Sequence, residues 1–159
     1  MNLNRLRVLV VDDEEELLAS MDSILRDLLK DYDLTVSKAR TGREALGILE
    51  HEEFDLIIMD VKMPEMDGLS ALREIRKMRP ESFIVIQTAH ANLKEAVEAI
   101  RMGAYDYIEK PIQVDKLRAL IHKCLETRQL VHEVTFSHPL MDDDIESEMV
   151  GSSNKMKEI

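Results

Sequence analysis

Residues 6–14 read LRVLVVDDE, and from Val8 to Val11 four aliphatic residues follow one another with no polar residue between them. A strand with one wet face alternates apolar and polar side chains, whereas a strand covered on both faces of a parallel sheet is apolar at consecutive positions. The run stops at once on Asp12 and Asp13. Working outward, short runs rich in Val, Ile and Leu recur at Leu34–Ser37, Leu56–Met59, Phe83–Gln87 and Tyr105–Ile108, most of them apolar at consecutive positions.

The segments between these runs carry helical spacing. The first has Leu17, Leu18, Met21, Ile24, Leu25 and Leu28, and the second has Ala45, Ile48 and Leu49 behind a capping box of Thr41 with Glu44. The third has Leu69, Leu72 and Ile75 and ends before Pro80. The fourth has Ala96, Val97 and Ile100, with Asn92 to start it and Gly103 to stop it. A fifth begins near Val114 and continues through Thr127 to Val134, with a stop signal at Ser137, His138 and Pro139. Strict alternation of strand and helix implies right-handed crossovers and helices on both faces. The fold class is therefore α/β, a doubly wound five-stranded parallel sheet with an extended C-terminal helix. In such sheets ligands bind beyond the carboxyl ends of the strands.

Composition narrows the function classes. The 159 residues hold 21 Lys and Arg against 32 Asp and Glu, a net charge of −11. That balance repels phosphate backbones, so this stretch is not expected to bind nucleic acid directly. No apolar run approaches the roughly 20 residues of a bilayer span, and the start turns acidic after one short strand, unlike a signal peptide or an anchor. Cys124 is the single cysteine, which leaves no internal disulfide or CxxC pair and makes a reducing cytoplasm the default compartment.

The chemistry-bearing residues fall at the strand ends. The first strand ends in Asp12 and Asp13, the third in Asp60, the fourth in Thr88 and the fifth in Lys110. If the first and third strands are neighbours, three carboxylates converge. Two unit charges about 4 Å apart at an effective dielectric near 20 repel by roughly 4 kcal/mol, so the cluster must take up protons or a cation. Hard oxygen ligands in a small, partly hydrated site suit Mg²⁺ or Mn²⁺. A carboxylate such as Asp60 is also a nucleophile toward phosphorus once the incoming oxygens are neutralised. Lys110 and the Thr88 hydroxyl are placed to hold the remaining phosphoryl oxygens. Taken singly, each residue has a bland explanation: Asp12 and Asp13 as a loop or N-cap pair, Thr88 as a strand-end threonine, Lys110 as a surface lysine. Their joint occurrence, in strand order, carries the site.

The runs Val8–Glu14 (VLVVDDE), Asp55–Gly68 (DLIIMDVKMPEMDG), Ile86–Ala89 (IQTA) and Gly103–Ile112 (GAYDYIEKPI) resemble the receiver domain of bacterial response regulators over about residues 5 to 126. The resemblance implies a flavodoxin-like strand order 2-1-3-4-5. It implies Asp60 as phosphoacceptor, Asp13 as a direct Mg²⁺ ligand, Asp12 as a metal-site carboxylate acting largely through water, and the main-chain carbonyl of Lys62 as a further ligand. Thr88 would contact the phosphoryl group and Lys110 would pair with it, with the Lys110–Pro111 bond cis. Tyr107 matches the family's switch aromatic, and Lys62 and His90 occupy positions used to tune dephosphorylation. The implied partner is a sensor histidine kinase. The implied readout is a change on the face of helix 4, strand 5 and helix 5, and the chain itself only accepts and slowly loses phosphate.

Beyond the receiver, Leu117, Leu120, Cys124, Thr127, Val131 and Val134 have coiled-coil spacing, and a stripe through Leu117, Ile121, Cys124, Arg128 and Val131 is nearly as good. The first supports a homodimer through the linker helix together with the helix 4, strand 5 and helix 5 face. Met149–Ile159 (MVGSSNKMKEI) resembles the opening of the ATPase domain of sigma-54-dependent activators and stops before any GxxxxGK[ST] loop. The expected organisation is a receiver at 1–126, a helical linker and acidic connector at 127–148, and the start of a truncated AAA+ ATPase domain at 149–159. Two other classes compete: a stand-alone receiver or structural pseudo-receiver acting by protein–protein contact, and a Mg²⁺-dependent phosphatase. The phosphatase would require an Asp-x-Asp pair, whereas the residue two after Asp12 is Glu14.

Overall fold

A computed structural model describes residues 4–63, 66, 68–89 and 93–137, with side chains to residue 134. Strands and helices alternate throughout: β1 (Arg5–Val11), α1 (Glu15–Leu28), β2 (Asp33–Ala39), α2 (Gly42–Leu49), β3 (Leu56–Asp60), α3 (Gly68–Met78), β4 (Phe83–Thr88), α4 (Leu93–Arg101), β5 (Asp106–Glu109) and α5 (Val114–Ser137). The sheet order is β2-β1-β3-β4-β5, and every pairing is parallel. Consecutive apolar residues mark the strands with two covered faces, and β3 is buried along its whole length. β5 is displaced by one residue from the expected run, although Tyr105 still opens its pairing by donating its N–H to the Ile84 carbonyl at 2.7 Å.

Register decides what meets at the carboxyl ends. Val11 lies opposite Met59 and Asp60 opposite Gln87, so Asp12 and Asp60 leave the sheet at the same level. The strand ends are tied to one another by main-chain bonds: Asp12 N–H to Ala39 C=O at 3.0 Å, Val61 N–H to Gln87 C=O at 3.1 Å and Lys110 N–H to Thr88 C=O at 2.8 Å. The Lys110–Pro111 peptide bond is cis.

Local signals place the helices. Thr41 caps α2 by accepting the Glu44 N–H at 3.0 Å, as expected, but the Glu44 carboxylate returns to the N–H of Arg40 at 2.6 Å, one residue before the cap. The last turn of α4 closes on Gly103 at φ +112°, with Gly103 N–H donating to Ile100 C=O at 3.1 Å and Ala104 N–H to Ala99 C=O at 3.0 Å. This is a Schellman motif at a glycine in the left-handed region. Along α5 the buried residues are Leu117, Ile121 and Cys124, whereas Val131 and Val134 are exposed. As far as Cys124, burial therefore follows the second of the two stripes read from the sequence, while Val131, which both share, is exposed. The chain separates into two compact units between Leu120 and Ile121, within α5. Among the described residues no helix is long and apolar enough to cross a membrane. His90, the helix-starting Asn92, the acidic connector and the segment 149–159 lie outside the described residues.

Gly68 opens α3 directly against the loop that leaves β3. A Cβ there would lie 2.5 Å from the Asp60 carbonyl oxygen and 2.6 Å from the Val61 Cα, both backbone atoms with little room to yield. Its own N–H donates to the Val61 carbonyl at 2.6 Å. Gly47, inside α2, has nothing within 4 Å of the same position. Substitution to alanine should therefore act in opposite directions. Gly68→Ala should lose about 1–3 kcal/mol through forced backbone shifts, and Gly47→Ala should gain roughly 0.5–1 kcal/mol by removing helix-interior glycine. Urea unfolding of the two variants checks both signs.

Candidate functional site

Four of the expected residues come together. Lys110, just past β5, reaches across β4 with its ammonium, donating to Asp60 Oδ2 at 2.7 Å and to Asp12 Oδ2 at 3.3 Å. Asp12, Asp13 and Asp60 each offer a carboxylate oxygen within 4.8 Å of the others. Asp12 and Asp60 are buried while Asp13 is partly exposed at the rim. Thr88 is buried at the end of the strand beside Asp60. Tyr107 is half-buried in β5 and packed against the hydrophobic core.

The backbone aims the carboxylates. Asp12 Oδ1 accepts the N–H of Glu14 at 3.0 Å, and Asp60 Oδ1 accepts the N–H of Lys62 at 3.1 Å. Each aspartate is thus held in an Asx-type bond by the residue two positions on, which leaves its second oxygen for Lys110. The Lys62 side chain is exposed, and it is the main-chain N–H of this residue that is bonded to Asp60. These two amides and Gly68 are functional elements that sequence reasoning did not single out. An amide carries no residue-type signature. Gly68 had one, the glycine ending the Asp55–Gly68 motif.

Electrostatics leave the site with unbalanced negative charge. Burial raises the pKa of Asp12 above the usual carboxylate value, against the opposing pull of the Glu14 amide and Lys110, and the charge of Asp60 pushes it further up. Burial alone would lower Lys110, but its bonds to Asp60 and Asp12 hold it above the ordinary lysine value. With all groups ionised, the three carboxylates and one ammonium carry 3 − 1 = 2 net negative charges. Three hard oxygen donors, a net charge of that size and an open rim at Asp13 fit a small divalent cation that keeps part of its water.

The description of the response regulator receiver domain matches residues 8–122 of this chain. The transcriptional regulatory protein ZraR of Escherichia coli (strain K12) is 39% identical over 125 residues, which cover 79% of this chain and 27% of that protein. Among solved structures, a response regulator receiver domain protein from Clostridium thermocellum superposes with a TM-score of 0.72 at 30% identity, covering 79% of this chain and 98% of that one. NtrX from Brucella abortus, solved in complex with ATP, superposes with a TM-score of 0.74 at 36% identity, covering 82% of this chain and 29% of that one. The chain thus spans about a third of the length of the ZraR proteins it matches.

Replacing Lys110 with methionine leaves Asp12 and Asp60 buried without their shared cation. Lys110 is 24% exposed, and after discounting for that the metal-free protein should lose about 1–3 kcal/mol at neutral pH. The loss belongs to a pH window. It shrinks in acid as Asp12, with its raised folded pKa, takes up a proton. It shrinks in base because Lys110, whose folded pKa is also raised, gives up its stabilisation as pH climbs through that value. Denaturant midpoints of both proteins across pH, in chelator, check this.

Proposed function

The chain belongs to the response regulator receiver domain family, and from that membership we propose that Asp60 accepts a phosphoryl group from a sensor histidine kinase and that the resulting charge switches a downstream transcriptional output. The observation that carries this reading is the Lys110 ammonium 2.7 Å from Asp60, inside a cluster of carboxylate oxygens lying within 4.8 Å of one another.

An Asp60 carboxylate oxygen forms a bond to phosphorus as the donor's bond to that phosphorus breaks. No general base is required, because the nucleophile is already ionised. Asp12, Asp13, Asp60 and the Lys62 carbonyl would hold Mg²⁺ (or Mn²⁺), which when bound neutralises the phosphoryl oxygens. Lys110 keeps one contact to the transferred group, and the Thr88 hydroxyl supplies another. The product adds about 1.5 to 2 negative charges and three acceptor oxygens at a buried site. The switch is limited to the difference in free energy that Thr88 and Lys110 make between the two states. Tyr107 follows Thr88 on the α4, β5 and α5 face, and Lys62 and His90 tune the return to the free carboxylate.

Residues 1–126 act as the receiver, 127–148 as helical linker and acidic connector, and 149–159 as the opening of an ATPase domain of the sigma-54-dependent kind. ZraR is named a transcriptional regulatory protein, which supports that context. The exposed Val131 and Val134, both on the coiled-coil spacing, support a homodimer seam along the linker helix, continued by the α4, β5 and α5 face.

Incubation with acetyl phosphate and Mg²⁺ should label the protein, and Asp60→Asn or excess chelator should abolish the label. Undiminished labelling of the Asp60→Asn variant would refute the assignment.

A further inference from the structure

Alternation along the strands assigns each side chain to one of the two faces of the sheet. Val11, Met59 and Ile86 belong to one core cluster. Val10, Ile58 and Val85, equally buried, alternate with them on the opposite face, and the next position of that face is Asp12 in the first strand, Asp60 in the third and Gln87 in the fourth. Register then puts Gln87 directly beside Asp60 on one side and Ile108 on the other. To reach Asp60 at 2.7 Å, the Lys110 ammonium has to cross β4 at this level. Gln87 is the side chain that it crosses.

A buried amide is normally hydrogen-bonded, because taking it out of water unpaired costs free energy. Gln87 is only 3% exposed, yet among the described residues its carboxamide has no hydrogen bond. Asp12 and Asp60 are served instead by the amides of Glu14 and Lys62 and by Lys110. An apolar side chain of the same size would fill this place without the cost. The amide is therefore unspent capacity beside the site.

An ammonium has three N–H donors, and Lys110 spends two of them on Asp60 and Asp12. A cation held among the three carboxylates would compete with it for the same oxygens. Once a buried ammonium loses a carboxylate partner, it needs another acceptor. We propose that Gln87 is a positioning residue for Lys110: its carboxamide oxygen accepts an ammonium N–H when a divalent cation or a phosphoryl group claims the carboxylate oxygens, and so keeps the lysine in the site. Being neutral, it adds no charge to a cluster already in excess. The phosphoryl half rests on the reading of Asp60 as phosphoacceptor; the cation half does not.

Urea unfolding of the full chain across a Mg²⁺ titration tests this without any phosphodonor. In chelator, Gln87→Met, which puts an apolar side chain of similar volume in place of the amide, should have a midpoint equal to or above that of the wild type. The Mg²⁺ concentration giving half the maximal midpoint shift should rise about tenfold, the equivalent of one hydrogen bond to a charged group. In a Lys110→Met background the same substitution should leave that concentration unchanged. Gln87→Asn, which keeps the amide but withdraws it by one methylene, should raise the concentration as well and serves if the methionine variant does not fold. A lower midpoint in chelator makes Gln87 a packing residue and overturns the proposal. An unchanged Mg²⁺ dependence overturns it too, as does a rise that persists without Lys110, since Gln87 would then act on the ion directly. Failure of the phosphoacceptor reading is seen separately, as absence of label on Asp60 from acetyl phosphate in the wild type, and in that case the Mg²⁺ titration still decides the role of Gln87.

Discussion

The interaction on which the structure depends is the bridge from one ammonium to two buried carboxylates. Lys110 meets Asp60 at 2.7 Å and Asp12 at 3.3 Å, three strand ends joined by a single charge. Without a cation at that point, burying two acids side by side would cost several kcal/mol. With one ammonium only, the cluster with Asp13 still carries an excess of negative charge. On the proposed function, that remaining negative charge is what a divalent ion would neutralise when Asp60 accepts a phosphoryl group.

The sheet exists in the form that makes this bridge. Because β1 and β3 are neighbours in register, their terminal aspartates emerge together, and β4 separates Asp60 from Lys110 by one strand, a span that a lysine stem can cover. The amides of Glu14 and Lys62 turn each acid so that one oxygen is occupied by the backbone and the other faces the lysine. Gly68 brings α3 against the backbone of the Asp60 loop with no side chain between. These are constraints of close packing, and none involves the reactive atoms themselves.

Much of this was legible in the residues. Consecutive aliphatic runs marked β1, β3 and β4, where burial on both faces removes the need for polar alternation, whereas β2 alternates and β5 is short and partly exposed. Acid, hydroxyl and lysine positions stood out because they fall together at the carboxyl ends of successive strands, although each alone has a bland explanation. The strand order was legible only through the family likeness, since alternation of strand and helix does not by itself say which strands are neighbours. The amide contacts were invisible, because every residue but proline has the same N–H. Gln87 was hidden for another reason: its place beside Asp60 depends on which strands are neighbours. In α5, two apolar stripes were nearly equivalent in sequence, and burial at Ile121 distinguished them.

The central claim is that Asp60, among three neighbouring aspartates, is the one that takes the phosphoryl group, and borohydride trapping tests it most directly. Reduction of an aspartyl phosphate converts that residue to homoserine, which peptide mass spectrometry locates by position. After treatment with acetyl phosphate and Mg²⁺, the account predicts homoserine at residue 60, with Asp12 and Asp13 intact. Homoserine at residue 12 or 13, or none at residue 60, would contradict it.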